Sequence, residues 1–296
     1  MKVQVVASML VCMLSIASAN PIGAWTETFF DNWLVGPTFP NWNIDVGTQY
    51  PGGSPNWGTG EIEVFSAAGL SINSANFLAI TPVLNPDGSW TSGRMETKQD
   101  FACVEGGKLW IESLISLGDA PPAQQQGIWP AFWALGSAFR GNYQNWPMVS
   151  EWDILESING EATMHTTLHC GVDPGGPCHE TTGITSSAAF SRGLPHKIAF
   201  QVDRSMTGPG NTGTWLDETL TWFLDEVQIF SVSGATVNDE AAWTQVAAMP
   251  HFLLLDVAVG GSFPNAIAGA STPTLATIGG SAVDMEVMYV GVWNSA

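Results

Sequence analysis

Apolar and polar residues alternate along most of this chain in short runs, and Gly, Pro, Asn and Asp cut the runs apart. In KLWIESLI, which begins at Lys108, an extended backbone puts Leu109, Ile111 and Ser113 on one side. Trp110, Glu112 and Leu114 then fall on the other. Comparable runs at 61–65, 77–83, 91–102, 108–117, 129–135, 149–158, 163–169, 197–202, 219–230, 252–259 and 285–293 predict strands. Only 239–249 has helical spacing, with Ala241, Val246 and Ala247 as its apolar points. Segments 51–60, 171–188, 207–214 and 261–281, rich in Gly, Pro, Ser and Thr, read as loops. No repeat or linker divides the chain. The pattern predicts one all-β domain, an antiparallel two-sheet β-sandwich.

The amino end departs from this pattern. Lys2 precedes an apolar run through Val5, Leu10, Val11 and Leu14, and Ala17-Ser18-Ala19 follows. That order is a secretory signal, and the run is too short to span a bilayer. It predicts a signal peptide at 1–19, a single domain at 20–296 and an extracellular protein.

Composition then removes several function classes. The chain has 8 Lys+Arg against 27 Asp+Glu, a formal net charge of −19, and cleavage near Asn20 removes one more cation, Lys2. With 45% hydrophobic residues it can bury a real core. Nucleic-acid binding and an anionic membrane surface are excluded, because eight scattered cations supply no cationic face. A monomer is expected. Cys170 and Cys178 bracket GVDPGGP, a turn that brings two Cα atoms within bonding range, so an oxidising compartment predicts a disulfide between them. Cys12 leaves with the signal, and Cys103 reads as a small buried hydrophobe.

The densest chemistry lies in Glu151-Trp152-Asp153-Ile154-Leu155-Glu156. In a strand Glu151 and Asp153 share a face, while Glu156, five residues on, faces the other way. One β-bulge near Ile154-Leu155 returns Glu156 to the face of Glu151. An edge strand with a solvated acidic face is the plainer alternative, but the apolar flanks (Trp146, Met148, Trp152, Ile154, Leu155) favour a central strand. Three like charges so close raise at least one pKa, the condition two-carboxylate glycosidases use. His165 and His169 would sit about 13 Å apart on a strand, too far to share an ion, so no metal is expected. Gly208–Gly213 satisfies G-x-G-x-x-G without a strand–helix frame, and no cofactor is expected.

These residues carry a family resemblance. GIWPAFWALG at 127–136, followed by NWPMVSEWDILESINGEATMHTTLHCG, resembles glycoside hydrolase family 16, especially its secreted fungal laminarinase-type members. WTSGRMETK at 90–98, FLLLDVAVGGSFP at 252–264 and MEVMYVGVW at 285–293 resemble other marker segments of that family, in the same order. The resemblance implies a concanavalin A-like jelly roll with an open cleft on a concave sheet. It also implies retaining endo-hydrolysis of β-1,3 or mixed β-1,3/1,4 glucan. It makes Glu151 the nucleophile, Glu156 the general acid/base and Asp153 the middle carboxylate. Trp133 and Trp146 match cleft tryptophans that would contact sugar; Trp129 either shares that face or packs in the core. Arg94 is a candidate for a hydroxyl or carboxylate contact, and His169 is expected near Glu156 or the leaving-group side. The sequence departs from the family at Ser150 (usually Gly), Trp152 (usually aliphatic), Asp225-Glu226 (usually Asp-Gly), Asp256 (usually Asn) and Met288 (usually Asp). A β-glucan transglycosylase and a silent glucan-binding lectin are the alternatives. The first is disfavoured by the longer E-x-D-x-x-E spacing and the second by the presence of all three acids.

Overall fold

The computed structural model describes residues 23–295, so the expected signal at 1–19 lies outside the described residues. In chain order the strands are β1 (Trp25–Asp31), β2 (Trp42–Ile44), β3 (Glu63–Phe65), β4 (Leu70–Ile72), β5 (Leu78–Ile80), β6 (Val83–Leu84), β7 (Trp90–Ser92), β8 (Arg94–Thr97) and β9 (Lys108–Leu117). Then come β10 (Ile128–Gly136), β11 (Glu151–Glu156), β12 (Thr163–His169), β13 (Ile184–Ala189), β14 (His196–Asp203), β15 (Thr219–Leu224), β16 (Val227–Ser233), β17 (His251–Val259) and β18 (Met285–Ser295).

Two antiparallel sheets carry the fold, as the alternating runs predict. One runs β16-β15-β14-β9-β18-β5-β4, with β1 also paired to β18; the other runs β13-β12-β11-β10-β17-β8-β2. Between them Leu109, Ile111, Ile115, Phe200 and Trp222 of the first sheet meet Phe132, Trp152, Ile154, Leu168 and Leu255 of the second. The opposite face of β9 carries Trp110, against Trp25 and Phe223. The strand holding the three acids, β11, lies inside its sheet between β12 and β10. That placement excludes the edge-strand alternative.

Several boundaries differ from expectation, each for a local reason. The run 91–102 breaks at Gly93: β7 joins a small sheet, β3-β7-β6, and β8 joins the seven-stranded one. A Cβ at Gly93 would lie 2.6 Å from the Leu70 side chain and 2.8 Å from the Gly69 carbonyl, so the crossing needs bare backbone. In β13, ITSSAA, no residue is fully buried and every second one is exposed. Pairing to β12 makes it a strand, which sequence hydropathy does not reveal. After a short helix α1 (Gly234–Val237), the expected helix at 239–249 is α2 (Glu240–Trp243), capped by Asp239, and it widens into a π-helical turn at Thr244–Ala248. A further helix, α3 (Ser262–Ala268), buries only Pro264 and lies in a segment read as loop.

The hairpin between β15 and β16 turns at Asp225 and Glu226, whose φ values are 49° and 69°. Two positive φ values define the turn that favours Gly at its second position. Glu226 pays for that conformation with an exposed ion pair to Lys197 at 3.0 Å, which contributes little. Glu226→Gly is expected to stabilise the protein by about 0.5–1 kcal/mol, raising the thermal midpoint by roughly 1–3 °C. Calorimetry checks this.

Candidate active site

The bulge is present at Ile154. Trp133 and Phe132 are consecutive on β10 but pair with Asp153 and Leu155, leaving Ile154 without a partner. On the other side Glu151 pairs with His169 and Glu156 with His165. Five steps along β11 are thus matched by four on each neighbour, from Leu135 to Ala131 and from His169 to His165. Four is even, so Glu156 returns to the face of Glu151. The backbone separation falls from roughly 16 Å to roughly 13 Å, and side chains leaning inward close the rest. Trp152, Ile154 and Leu155 take the core side instead.

Trp152 stacks on His251 with centroids 3.6 Å apart and touches Phe200. It is a core substitution, as expected. Ser150, just before the strand, has φ 71°, a left-handed backbone that explains the Gly usual in the family. Its hydroxyl lies 3.2 Å from His251 Nε2, while His251 Nδ1 lies 3.0 Å from the Met249 carbonyl. Nδ1–H therefore donates to the carbonyl and Nε2 accepts from Ser150. Burial holds His251 neutral, its pKa lowered to about 3.

On the cleft face the three acids have distinct partners. Glu156 Oε1 accepts the Trp129 ring N–H at 2.9 Å, so Trp129 belongs to the site rather than the core. His169 Nε2 lies 3.4 Å from Asp153 Oδ2 and 4.0 Å from Glu151 Oε1. Its Nδ1 lies 2.7 Å from Glu180 Oε2. Trp146 packs beside His169, centroids 5.4 Å apart. The Trp133 ring N–H donates to Asp256 Oδ1 at 2.7 Å. Arg94 is buried, not on the surface: its Nε bonds Asp45 at 3.2 Å, and its guanidinium lies 4.4 Å from the Trp57 ring and 4.9 Å from the Trp133 ring. The expected carboxylate contact of Arg94 is therefore with Asp45.

Burial raises the pKa of all three acids. For Glu151 the His169 charge and the Trp146 N–H partly offset it; for Glu156 the Trp129 N–H and then the His169 charge do so. For Asp153, after burial, the charges of Glu156 and Glu151 push it higher still, well above the carboxylate range. Burial alone would lower His169, but the Glu180 hydrogen bond and the surrounding carboxylates outweigh it and raise its pKa. Asp256 rises to about 7 through burial, against the pull of Arg94. Glu151, Asp153 and His169 present atoms within 4.8 Å of one another, the one such His-and-acid donor group among the described residues. A glutamate, an aspartate and a histidine this close together suit proton sharing.

The segment 71–222 matches the family model described as XgeA-like, catalytic GH16 domain. That is more than half of the chain. The chain belongs to glycoside hydrolase family 16. It is 37% identical to an endo-1,3-β-glucanase from Streptomyces sioyaensis, with a TM-score of 0.86 over 95% of this chain and 100% of that one. An endo-β-1,3-glucanase from Pyrococcus furiosus is 25% identical, with a TM-score of 0.66 over 91% of this chain and 94% of that one. A glucan endo-1,3-β-glucosidase of Cryptopygus antarcticus is 26% identical over 286 residues, 92% of this chain and 93% of that protein.

In this family 16 glycoside hydrolase the sheet brings Glu151, Asp153, Glu156, His169, Trp133 and Trp146 to one region. In register His169 stands opposite Glu151, while its charge still reaches Glu156, whose own partner on β12 is His165. His165 lies 3.6 Å from Glu161 and against Phe263, consistent with its structural reading. The disulfide Cys170–Cys178 is formed, with Cα atoms 5.3 Å apart. Burial pushes the Cys103 thiol up to about 12, so it is unreactive. Met288 packs with Tyr289, Phe30 and Phe77, an apolar cluster on the other sheet. Sequence reading missed Glu180. No motif marks it, because only the disulfide-closed loop carries it to His169.

Proposed function

We propose that this enzyme is a secreted, retaining endo-β-1,3-glucanase. The face shared by Glu151, Asp153 and Glu156 carries the reading, because the bulge at Ile154 returns Glu156 to the side of Glu151 and so gathers three acids on one face. Similarity to the Streptomyces sioyaensis endo-1,3-β-glucanase supports the β-1,3 substrate. The charged, apolar, small-residue order of 1–19 supports secretion.

In the proposed reaction, ionised Glu151 attacks the anomeric carbon while Glu156, holding its proton, protonates the departing oxygen. Esterification removes the charge of Glu151, the pKa of Glu156 falls, and Glu156 then takes a proton from the attacking water. Asp153 lies between them in sequence on the same face, its carboxyl favoured in the protonated form by burial and by the charges of Glu156 and Glu151. The half-buried faces of Trp133 and Trp146 offer apolar area to glucose rings, with Trp133 fixed by its bond to Asp256. A neutral polysaccharide needs no cationic surface, which fits a net charge of −19.

The test is hydrolysis of laminarin, lichenan and a β-galactan with the products identified. Short laminarin oligosaccharides with little release from β-galactan are expected. Products longer than the substrate would mean transglycosylation, and no reducing ends from laminarin or lichenan would mean a silent binder.

A further inference from the structure

We infer that Glu180 is a positioning residue for this reaction, acting through His169; the inference rests on the retaining reading above. Glu180 follows the Cys170–Cys178 disulfide by two residues, and its side chain is fully buried. Oε1 accepts the Cys170 backbone N–H at 2.8 Å, and Oε2 meets His169 Nδ1 at 2.7 Å. The Glu180 backbone is itself pinned, exchanging N–H···O bonds with Gly175 in both directions. With Oε1 accepting the Cys170 N–H, Oε2 accepts from the imidazole, so Nδ1 carries the proton. Nε2 is then the atom turned to Asp153 and Glu151. The returning chain closes the other side: a Cβ at Gly183 would stand 3.0 Å from His169 Cε1. The imidazole has one orientation, and the loop sets it.

Such an imidazole can hold a second proton between two sets of carboxylates. Glu151, Asp153 and Glu156 face it from β11 and Glu180 from the loop, while Trp146 covers its ring. The paired strand β13, ITSSAA, brings no charged group. As an imidazolium, His169 favours ionised Glu151 for attack; its charge also reaches Glu156, where it ranks behind the Trp129 N–H. The proton on His169 stays in place as the glycosidic C–O bond breaks and the Glu151 ester forms. Removing the Glu180 charge acts on Glu151 in two opposed ways. It removes one repulsion, which lowers the Glu151 pKa, and it discharges His169, which raises it. The pull of His169 on Glu151 outranks the push of Glu180, so the rise dominates over the pH range in which the variant's His169 has lost its proton.

Glu180→Gln tests the inference, with the isosteric amide removing charge but little volume. The His169 titration, followed by imidazole nitrogen NMR without substrate, is expected to move down by about one pH unit or more. The acid limb of the kcat/KM profile moves up, and kcat falls about tenfold or more with KM little changed. Glu180→Asp, which retains the charge, restores part of both. Superimposable His169 titrations and pH–rate profiles in wild type and Glu180→Gln overturn the inference. If Glu180→Gln does not fold, the wild-type spectrum decides: a neutral His169 protonated at Nδ1 supports the inference and one protonated at Nε2 overturns it. Should the wild type fail to cleave laminarin, the glucanase reading falls, and the NMR result still decides whether Glu180 governs His169.

Discussion

Glu151→Gln and Glu156→Gln each lower kcat on laminarin by at least about a thousandfold while the protein stays folded. The two losses differ in kind. Without Glu151 no ester forms, so an aryl β-glucoside with a good leaving group fares no better than laminarin. Without Glu156 that same leaving group needs no proton, so the first step recovers and the ester accumulates. Neither change strains the fold, because burial already raises both pKa values and Gln is a neutral mimic of the protonated form. Circular dichroism and a thermal scan establish folding, and burst kinetics separate the two roles. A folded Glu151→Gln enzyme with normal turnover contradicts the assignment.

The thermal midpoint is expected to fall by more than about 5 °C between pH 6 and pH 8. The sign is opposite to that of acids held low by ion pairs. Burial raises Asp45 to about 6, Asp256 to about 7 and Asp284 to about 7, and it raises Glu151, Asp153 and Glu156 too. Between the unfolded carboxylate range and these values the folded state binds more protons than the unfolded one. Stability is therefore fully present below the unfolded pKa and is lost as pH rises through the folded pKa. Raised His169 has the same sign. His251, lowered to about 3, opposes it, but mainly below the ordinary histidine pKa. Each unit of unmatched shift is about 1.4 kcal/mol, so a handful of such groups gives several kcal/mol. Calorimetry at the two pH values in constant salt decides it, and an unchanged or higher midpoint at pH 8 counts against the buried, proton-holding site.

The parts of this fold that the sequence announces are those where period-two alternation is enforced by a two-sided core. β9 and β12 match their predicted runs because their inward rows are fully buried and mostly apolar, with Ser113 and Thr166 the polar exceptions. β13 is invisible because hydrogen bonds from β12, not hydropathy, make it a strand. The split at Gly93 is invisible because it depends on the close approach of Gly69 and Leu70, 23 or more residues away. The same division holds in the site. Glu151, Asp153 and Glu156 are legible since i, i+2 and a bulged i+5 are local arithmetic. The His169 position follows from register across strands, and Glu180 from a disulfide loop. The Trp excess divides similarly: Trp33, Trp152, Trp222, Trp243 and Trp293 are fully buried, while Trp129, Trp133 and Trp146 stand on the catalytic face.

The central claim is that Glu151 and Glu156 act in a double displacement on β-1,3-glucan, and the anomer released first tests it most directly. Proton NMR during the first minutes of laminarin hydrolysis, before mutarotation, resolves new α and β reducing ends. Two successive displacements at one carbon predict β reducing ends first, with α appearing only by mutarotation. Release of α reducing ends first would contradict the account.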